Sequence, residues 1–258
     1  MNIEEAKKIT KSLINTFYNA GDLALSIRRK GLKKEIKSDN TPVTNGDMEV
    51  NKVLIKKIKE TTPNIPIVSE ENSEKKENQN LKNFWLIDPI DGTKEYINNK
   101  DEFTLNASLI IDKKPLIGVI NAPAKNRMFY AYAKSNSYEL VDNQEISLEN
   151  KINLRGDITA VSYANELKPE ILKIHDDFKV SHHQKMKSSL KFCVIATGEF
   201  DLYVAEPRAC EWDIAAGHAI LVHAGGSVTD FKGNEIFYGK KNFRNSSLIL
   251  KSKKLNNG

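Results

Sequence analysis

The stretch Phe84-Trp85-Leu86-Ile87-Asp88-Pro89-Ile90-Asp91-Gly92-Thr93 decides how this chain is read. Four large apolar residues in a row suit a strand buried on both faces. Pro89 has no N–H to give a sheet ladder, so the strand is expected to end near Asp88. Asp88 and Asp91 then stand together at the strand's mouth. Two carboxylates this close repel unless a cation lies between them, and hard oxygen donors suit magnesium. Gly92 lets backbone approach a ligand closely, and N–H groups there can hold an anionic oxygen. Taken alone, Asp-x-x-Asp-Gly is more often a strand followed by an Asp-rich turn. The rest of the chain has to decide.

Upstream, residues 3 to about 30 carry Ile3, Ala6, Ile9, Leu13, Phe17, Ala20, Ala24 and Ile27 at helical spacing, with Gly31 as the expected C-cap. Residues 35–37 read as a short strand, and 38–47 as a loop. Thr44 with Asp47 resembles a capping box opening a second helix over about 45–60. Capping is the ordinary role for Asp47; a carboxylate at the edge of a site is the other. Ile65 to Val68 reads as a strand delivering Ser69-Glu70-Glu71, followed by a polar, solvated loop over 72–83.

Downstream, a short helix or turn follows Thr93. Runs over 103–111, 115–121, 128–133 and 137–141 suggest an antiparallel meander. The polar segment 142–156 marks the expected boundary between an α+β lobe, 1–150, and an α/β lobe, 151–258. In the second lobe, strands are expected at 158–163, 202–205, 227–230 and 247–250, and helices at 169–178 and 189–197. Asp213 reads as the N-cap of a further helix closed by Gly225-Gly226. Glu70, Asp88 with Asp91, and Asp213 therefore all fall at element ends. Together they could form one carboxylate cluster for two or more magnesium ions, with Thr93 and Asp47 positioning a water.

Composition narrows the alternatives. With 258 residues, 40% hydrophobic and 28% charged, the chain can bury a substantial core. No apolar run reaches membrane-spanning length and the N-terminus lacks an apolar secretory core, so the expected location is the cytoplasm. Loose association with the inner face of the cell membrane stays open, as does the choice between monomer and homodimer. A net charge of +5 without a basic stripe interleaved with aromatics argues against a nucleic-acid polymer as partner. Cys193 and Cys210 read as buried apolar side chains. His182-His183 read as a surface loop, and His218 and His223 as helix residues, none of them a zinc site.

Three motifs in order, Ser69-Glu70-Glu71, Asp88-Pro89-Ile90-Asp91-Gly92-Thr93 and Glu211-Trp212-Asp213-Ile214-Ala215-Ala216-Gly217, resemble those of the inositol monophosphatase superfamily. Pro42 to Asp47 resembles its upstream loop. Lys94-Glu95-Tyr96-Ile97, Glu102 to Asn106 and Ser188 to Cys193 look like its 3′(2′),5′-bisphosphate nucleotidase branch. The resemblance implies a layered αβαβα sandwich and a magnesium-dependent, typically lithium-inhibited phosphomonoesterase holding two or three ions. It implies Glu70, Asp88, the carbonyl of Ile90, Asp91 and Asp213 as metal ligands, and Thr93 with Asp47 as the pair that activates water. Those ligands, with Gly92 and Thr93, would surround the scissile phosphate of a small nucleotide bisphosphate, and Lys94, Ser189 and Arg208 would contact the rest of it. The segment Val204 to Cys210 departs from the branch pattern, and Glu206 stands where inositol phosphatases tend to place a sugar-binding Glu. The rivals are therefore an inositol or sugar-phosphate phosphatase and, from another class, a non-catalytic metal- and anion-binding protein.

Overall fold

A computed structural model describes residues 1–38, 40–71, 81–149 and 156–256. Helix α1 (Ile3–Lys30) buries Ala6, Ile9, Leu13, Phe17, Ala20 and Ala24 along one stripe. The Asn2 side chain caps its start by accepting from Glu5 N at 2.8 Å. Gly31, at φ +102°, ends it and donates to Arg28 O. Strands β1 (Lys34–Ile36) and β2 (Pro42–Thr44) pair antiparallel. Helix α2 (Asn45–Thr61) follows at once, capped by Thr44. The two long helices pack together over one face of a seven-stranded sheet.

That sheet runs β3 (Ile67–Ser69), β4 (Phe84–Asp91), β5 (Thr104–Ile111), β6 (Lys114–Ala122), β7 (Arg127–Ala133), β8 (Asn136–Val141) and β9 (Gln144–Ser147), neighbours in that order. β3 and β4 are parallel, and the remaining pairs form the expected antiparallel meander. Along β4, Phe84 and Leu86 enter one core while Trp85 and Ile87 enter the other. Both faces are thus apolar, as the run of four required. Each such fully buried side chain contributes roughly 1.5–3 kcal/mol relative to exposure.

The strand does not end at Asp88. It continues to Asp91 through an irregularity, with Asp88 opposite Asn106 and Asp91 opposite Thr104. Pro89 is accommodated there because the bulge interrupts the ladder where its missing N–H would have been needed. Helix α3 (Thr93–Ile97) leaves from this end. A second difference lies at residues 144–147. Their polar pattern reads as a turn, yet they form β9, an exposed edge strand held by pairing with β8. Residues 72–80 of the expected polar loop and 150–155 of the expected boundary lie outside the described residues.

The second half supplies β10 (Ile158–Ser162), α4 (Pro169–Asp177), β11 (Val180–Lys185), α5 (Leu190–Ala196), β12 (Leu202–Ala205), α6 (Glu211–His223), β13 (Ser227–Thr229), β14 (Leu248–Lys251) and α7 (Lys253–Asn256). Its five strands lie in the order β11-β10-β12-β14-β13, with β10 parallel to both neighbours. His182 and His183 sit on β11 rather than in a loop. That edge strand has no apolar alternation, so only its pairing with β10 reveals it. Helices α5 and α6 fill the space between the sheets, and α4 packs beyond the smaller sheet. The result is the expected αβαβα layering. Buried on all sides, α6 is apolar nearly all round, from Trp212 to Leu221.

Candidate active site

Strand register brings the carboxylates together. β3 and β4 are parallel with Ser69 beside Ile87, so Glu70 and Asp88, the next residue of each, emerge side by side. The bulge then turns Asp91 toward the same end. Asp213 is the third residue of α6 rather than its N-cap. Cys210 takes the cap, and Asp213 Oδ2 accepts from Cys210 N at 2.7 Å. That bond holds the helix start and fixes the carboxylate at the same time.

The electrostatics of this group are those of too many anions in one place. Burial holds the Asp88 carboxyl well above the usual carboxylate range, and Glu70, Asp91 and Asp213 push it further. Asp88 and Glu70 are themselves in hydrogen-bond contact. Burial also raises Asp213, helped by Asp91 and Glu70. Asp91 is raised by burial against the opposing pull of Lys191 and a hydrogen bond from Ser189. Lys191 is pushed down to about 8 by burial, although Asp91 favours its charged form. Lys37, on the β1–β2 connection, places Nζ 2.9 Å from Glu70 Oε1 and 2.8 Å from Glu71 Oε1. Burial alone would lower the Lys37 pKa; the two carboxylates outweigh it and hold it above the ordinary range. Burial lifts Glu71 to about 7, with Lys37 opposing.

Among the described residues, no three His, Cys, Asp or Glu side chains are already closed around one point. The fit to divalent cations rests instead on the mutual repulsion and on the donor set. All the candidate donors are hard oxygens, namely Glu70, Asp88, Asp91, Asp213 and the Ile90 carbonyl. Cations entering such a group would return each carboxyl to its ionised form. The histidines stand apart: His218 Nδ1 meets Tyr238 Oη at 2.9 Å, and His223 Nε2 meets Leu116 O at 2.9 Å. Cys193 is buried, whereas Cys210 is only partly so.

Asp47 caps α2 and also faces Thr93. Its Oδ2 accepts from Thr44 N at 2.8 Å and from Thr44 Oγ1 at 2.6 Å, completing the cap of α2. Its Oδ1 lies 3.3 Å from Thr93 Oγ1, which also reaches Ile90 O at 3.1 Å. Burial raises the Asp47 carboxyl against its bonds from Thr44. Gly92, at φ +93°, begins α3; a Cβ there would sit 2.9 Å from Glu102 O, so no other residue fits.

These groups open onto a cleft of about 370 Å³. Glu70, Asp88, Ile90, Asp91, Gly92, Thr93, Lys94, Ser189, Arg208 and Asp213 all line it; Asp47 stands behind Thr93. The cleft also contains Tyr163, Lys187 and Lys191, which the sequence reading did not single out. Lys191 had a signal: it is a lone charge within an otherwise apolar helical run, Leu190 to Ala196. Tyr163 and Lys187 had none, because they meet only through the fold. Arg208 lies over the Tyr163 ring at 4.1 Å, and Lys187 Nζ donates to Tyr163 O at 2.8 Å. Glu206 does not line the cleft; it accepts from Tyr163 Oη at 3.0 Å and pairs with Lys168 at 3.0 Å.

Comparison with known proteins agrees with this architecture. The sequence profile of the Inositol monophosphatase family matches residues 5–257. The 3′(2′),5′-bisphosphate nucleotidase CysQ of Salmonella typhimurium is 35% identical over 230 residues, 85% of this chain and 89% of the relative. The CysQ of Aggregatibacter actinomycetemcomitans is 30% identical over 247 residues, 94% of this chain and 92% of the relative. The crystal structure of CysQ from Bacteroides thetaiotaomicron superposes with a TM-score of 0.76 at 28% identity, covering 95% of this chain and 97% of that one. With a profile match along nearly its whole length and a carboxylate cluster at the junction of its layers, the chain belongs to the inositol monophosphatase family of phosphatases.

Proposed function

We propose that this protein hydrolyses the 3′-phosphate of adenosine 3′,5′-bisphosphate to AMP and inorganic phosphate, using two or three magnesium ions. One observation carries the choice of substrate: the cleft that holds the four carboxylates also holds Lys187, Lys191 and Arg208. A second phosphate on the same substrate would add an anionic partner to the contacts these basic groups already make, Lys191 with Asp91 and Lys187 with the Tyr163 carbonyl. The relatives named 3′(2′),5′-bisphosphate nucleotidase support the same choice.

Glu70, Asp88, Asp91, Asp213 and the Ile90 carbonyl would hold the ions. Bound there, magnesium supplies Lewis-acid activation of water and neutralises charge on the phosphoryl and leaving oxygens. The chain's own groups do the rest. Thr93 Oγ1 accepts a hydrogen bond from the attacking water and passes a proton toward Asp47, 3.3 Å away. Burial makes Asp47 a stronger base than an exposed aspartate. The water oxygen bonds to phosphorus as the bond to the 3′-oxygen breaks, and that oxygen leaves with the electron pair and takes up a proton. Gly92 and Thr93 border the phosphate, and Lys94 and Arg208 contact the remainder of the nucleotide. Glu206 favours an inositol phosphate by position only, since it lies outside the cleft lining with its Oε1 held by Tyr163 and Lys168.

The reading places the enzyme in the cytoplasm, removing a by-product of sulfate assimilation. Among the described residues, no helix is long and apolar enough to cross a membrane. The test is phosphate release with magnesium from adenosine 3′,5′-bisphosphate and inositol 1-phosphate side by side. A strong preference for the nucleotide, reduced in Arg208→Ala through a higher KM, is expected. A preference for inositol 1-phosphate would overturn the substrate while leaving the phosphatase chemistry in place.

A further inference from the structure

Ser189 Oγ is the meeting point of three elements. It lies 2.6 Å from Asp91 Oδ2, at the end of β4, and within bonding distance of the main-chain carbonyl of Asp213, in the first turn of α6. Asn106 Nδ2, from the middle of the larger sheet's β5, reaches it at 2.9 Å. Both Asn106 and Ser189 are buried, at 1% and 2% exposure. A serine hydroxyl has one proton to give and two lone pairs. Two of its three neighbours, Asp91 Oδ2 and the Asp213 carbonyl oxygen, are placed as acceptors of that proton. The third must therefore donate, which selects the orientation of Asn106 with its NH₂ toward Ser189. That orientation leaves Asn106 Oδ1 buried without a hydrogen-bond partner among the described residues. A buried amide left half satisfied is costly, so its retained half is the informative one.

We infer that Asn106 and Ser189 are positioning residues that act together as a pin, fixing Asp91 and the first turn of α6 at one spacing so that Asp91 and Asp213 are preset for cation binding. The inference rests on the magnesium reading proposed above. The pin crosses the junction between the larger sheet and α6, where nothing in the local sequence of either element sets the distance. With one Ser189 lone pair filled by Asn106 Nδ2, the single Ser189 proton is shared between Asp91 Oδ2 and the Asp213 carbonyl. Ser189 in turn holds the Asp91 carboxylate in the rotamer that faces Asp213. Partners that orient metal-ligating carboxylates in this way typically change metal affinity 10–100-fold when removed. Ser189 also lines the cleft, but its hydroxyl is already bonded on three sides, so it serves the carboxylates rather than the nucleotide.

The test is titration calorimetry of magnesium into the purified full chain and into Asn106→Leu, Asn106→Asp and Ser189→Ala, with melting temperatures recorded for each. Asn106→Leu removes the donor at similar volume. Asn106→Asp faces the serine with a third acceptor. Ser189→Ala breaks the same pin from its other end and serves if an Asn106 variant fails to fold. The expected result is a magnesium dissociation constant raised about tenfold or more in each folded variant. In kinetics, the magnesium concentration for half-maximal rate should rise alike, while the KM for substrate at saturating magnesium stays unchanged. Folded variants that bind magnesium as tightly as wild type would overturn the pin alone. A wild-type chain that takes up no magnesium would overturn the metal reading, and the pin with it.

Discussion

Asp47 carries two readings at one position. Its spacing from Thr44 announces a cap, and the cap is there; only the fold reveals that the second oxygen turns to Thr93. Asp47→Asn retains an acceptor for Thr44 N and loses the base. Its kcat should fall about 10²–10⁴-fold with little change in melting temperature, and Thr93→Ala should behave alike. Steady-state rates paired with thermal melts check both. His218 offers a separate prediction about stability. Burial pushes its pKa down from 6.5 to about 3, and its Nδ1 meets Tyr238 Oη. Below about pH 6.5 the unfolded chain therefore binds a proton that the folded chain refuses. This contribution to stability is complete above pH 6.5 and declines as the pH falls toward 3, by at most about 1.4 kcal/mol per pH unit. His218→Gln should flatten the acid limb of stability against pH, measured by denaturant unfolding between pH 4 and 8. An unchanged slope would count against a neutral buried His218.

At the scale of elements, the clustered carboxylates were legible because each falls at the end of a strand or the start of a helix, and such ends carry short, recognisable motifs. What remained hidden was set by pairing. β9 and β11 lack apolar alternation and exist through their neighbours, β8 and β10. The extension of β4 past Pro89 depends on a bulge opposite β5, which no local signal in Phe84 to Asp91 announces. Asn106 had a visible motif but no visible partner, since Ser189 lies 83 residues away. The placement of α6 depends on equally remote contacts. Gly118 of β6 faces that helix, and a Cβ there would come 2.3 Å from the Ala216 carbonyl oxygen. Gly118→Ala should therefore displace α6, destabilising the fold by about 1–3 kcal/mol. Because α6 carries Asp213, the same variant should lose activity more steeply than stability alone explains. Denaturant unfolding together with the rate of phosphate release at a temperature where the variant stays folded separates the two effects.

At the scale of the whole molecule, the layering could be expected from the resemblance, while the alternation of helices and strands alone gave only two lobes. Our division near residue 150 stays a proposal about topology, and thermodynamics is expected to ignore it. One core cluster joins Phe84, Ile120 and Phe129 of the larger sheet to Phe192, Ile220 and Leu250 of the second half. Calorimetry should accordingly show one unfolding transition; two separated transitions would mean that the lobes hold together independently. Magnesium should raise that transition, because ions bound between buried carboxylates favour the folded state only. The central claim is that those carboxylates form the hydrolytic centre, and Asp88 is held high by burial and by Glu70, Asp91 and Asp213 together. The most direct measurement is magnesium-dependent release of phosphate from adenosine 3′,5′-bisphosphate by wild type and by Asp88→Asn. The account predicts turnover by wild type that is abolished by chelation, and a rate at least about 10²-fold lower in the variant. Undiminished turnover by Asp88→Asn would contradict it.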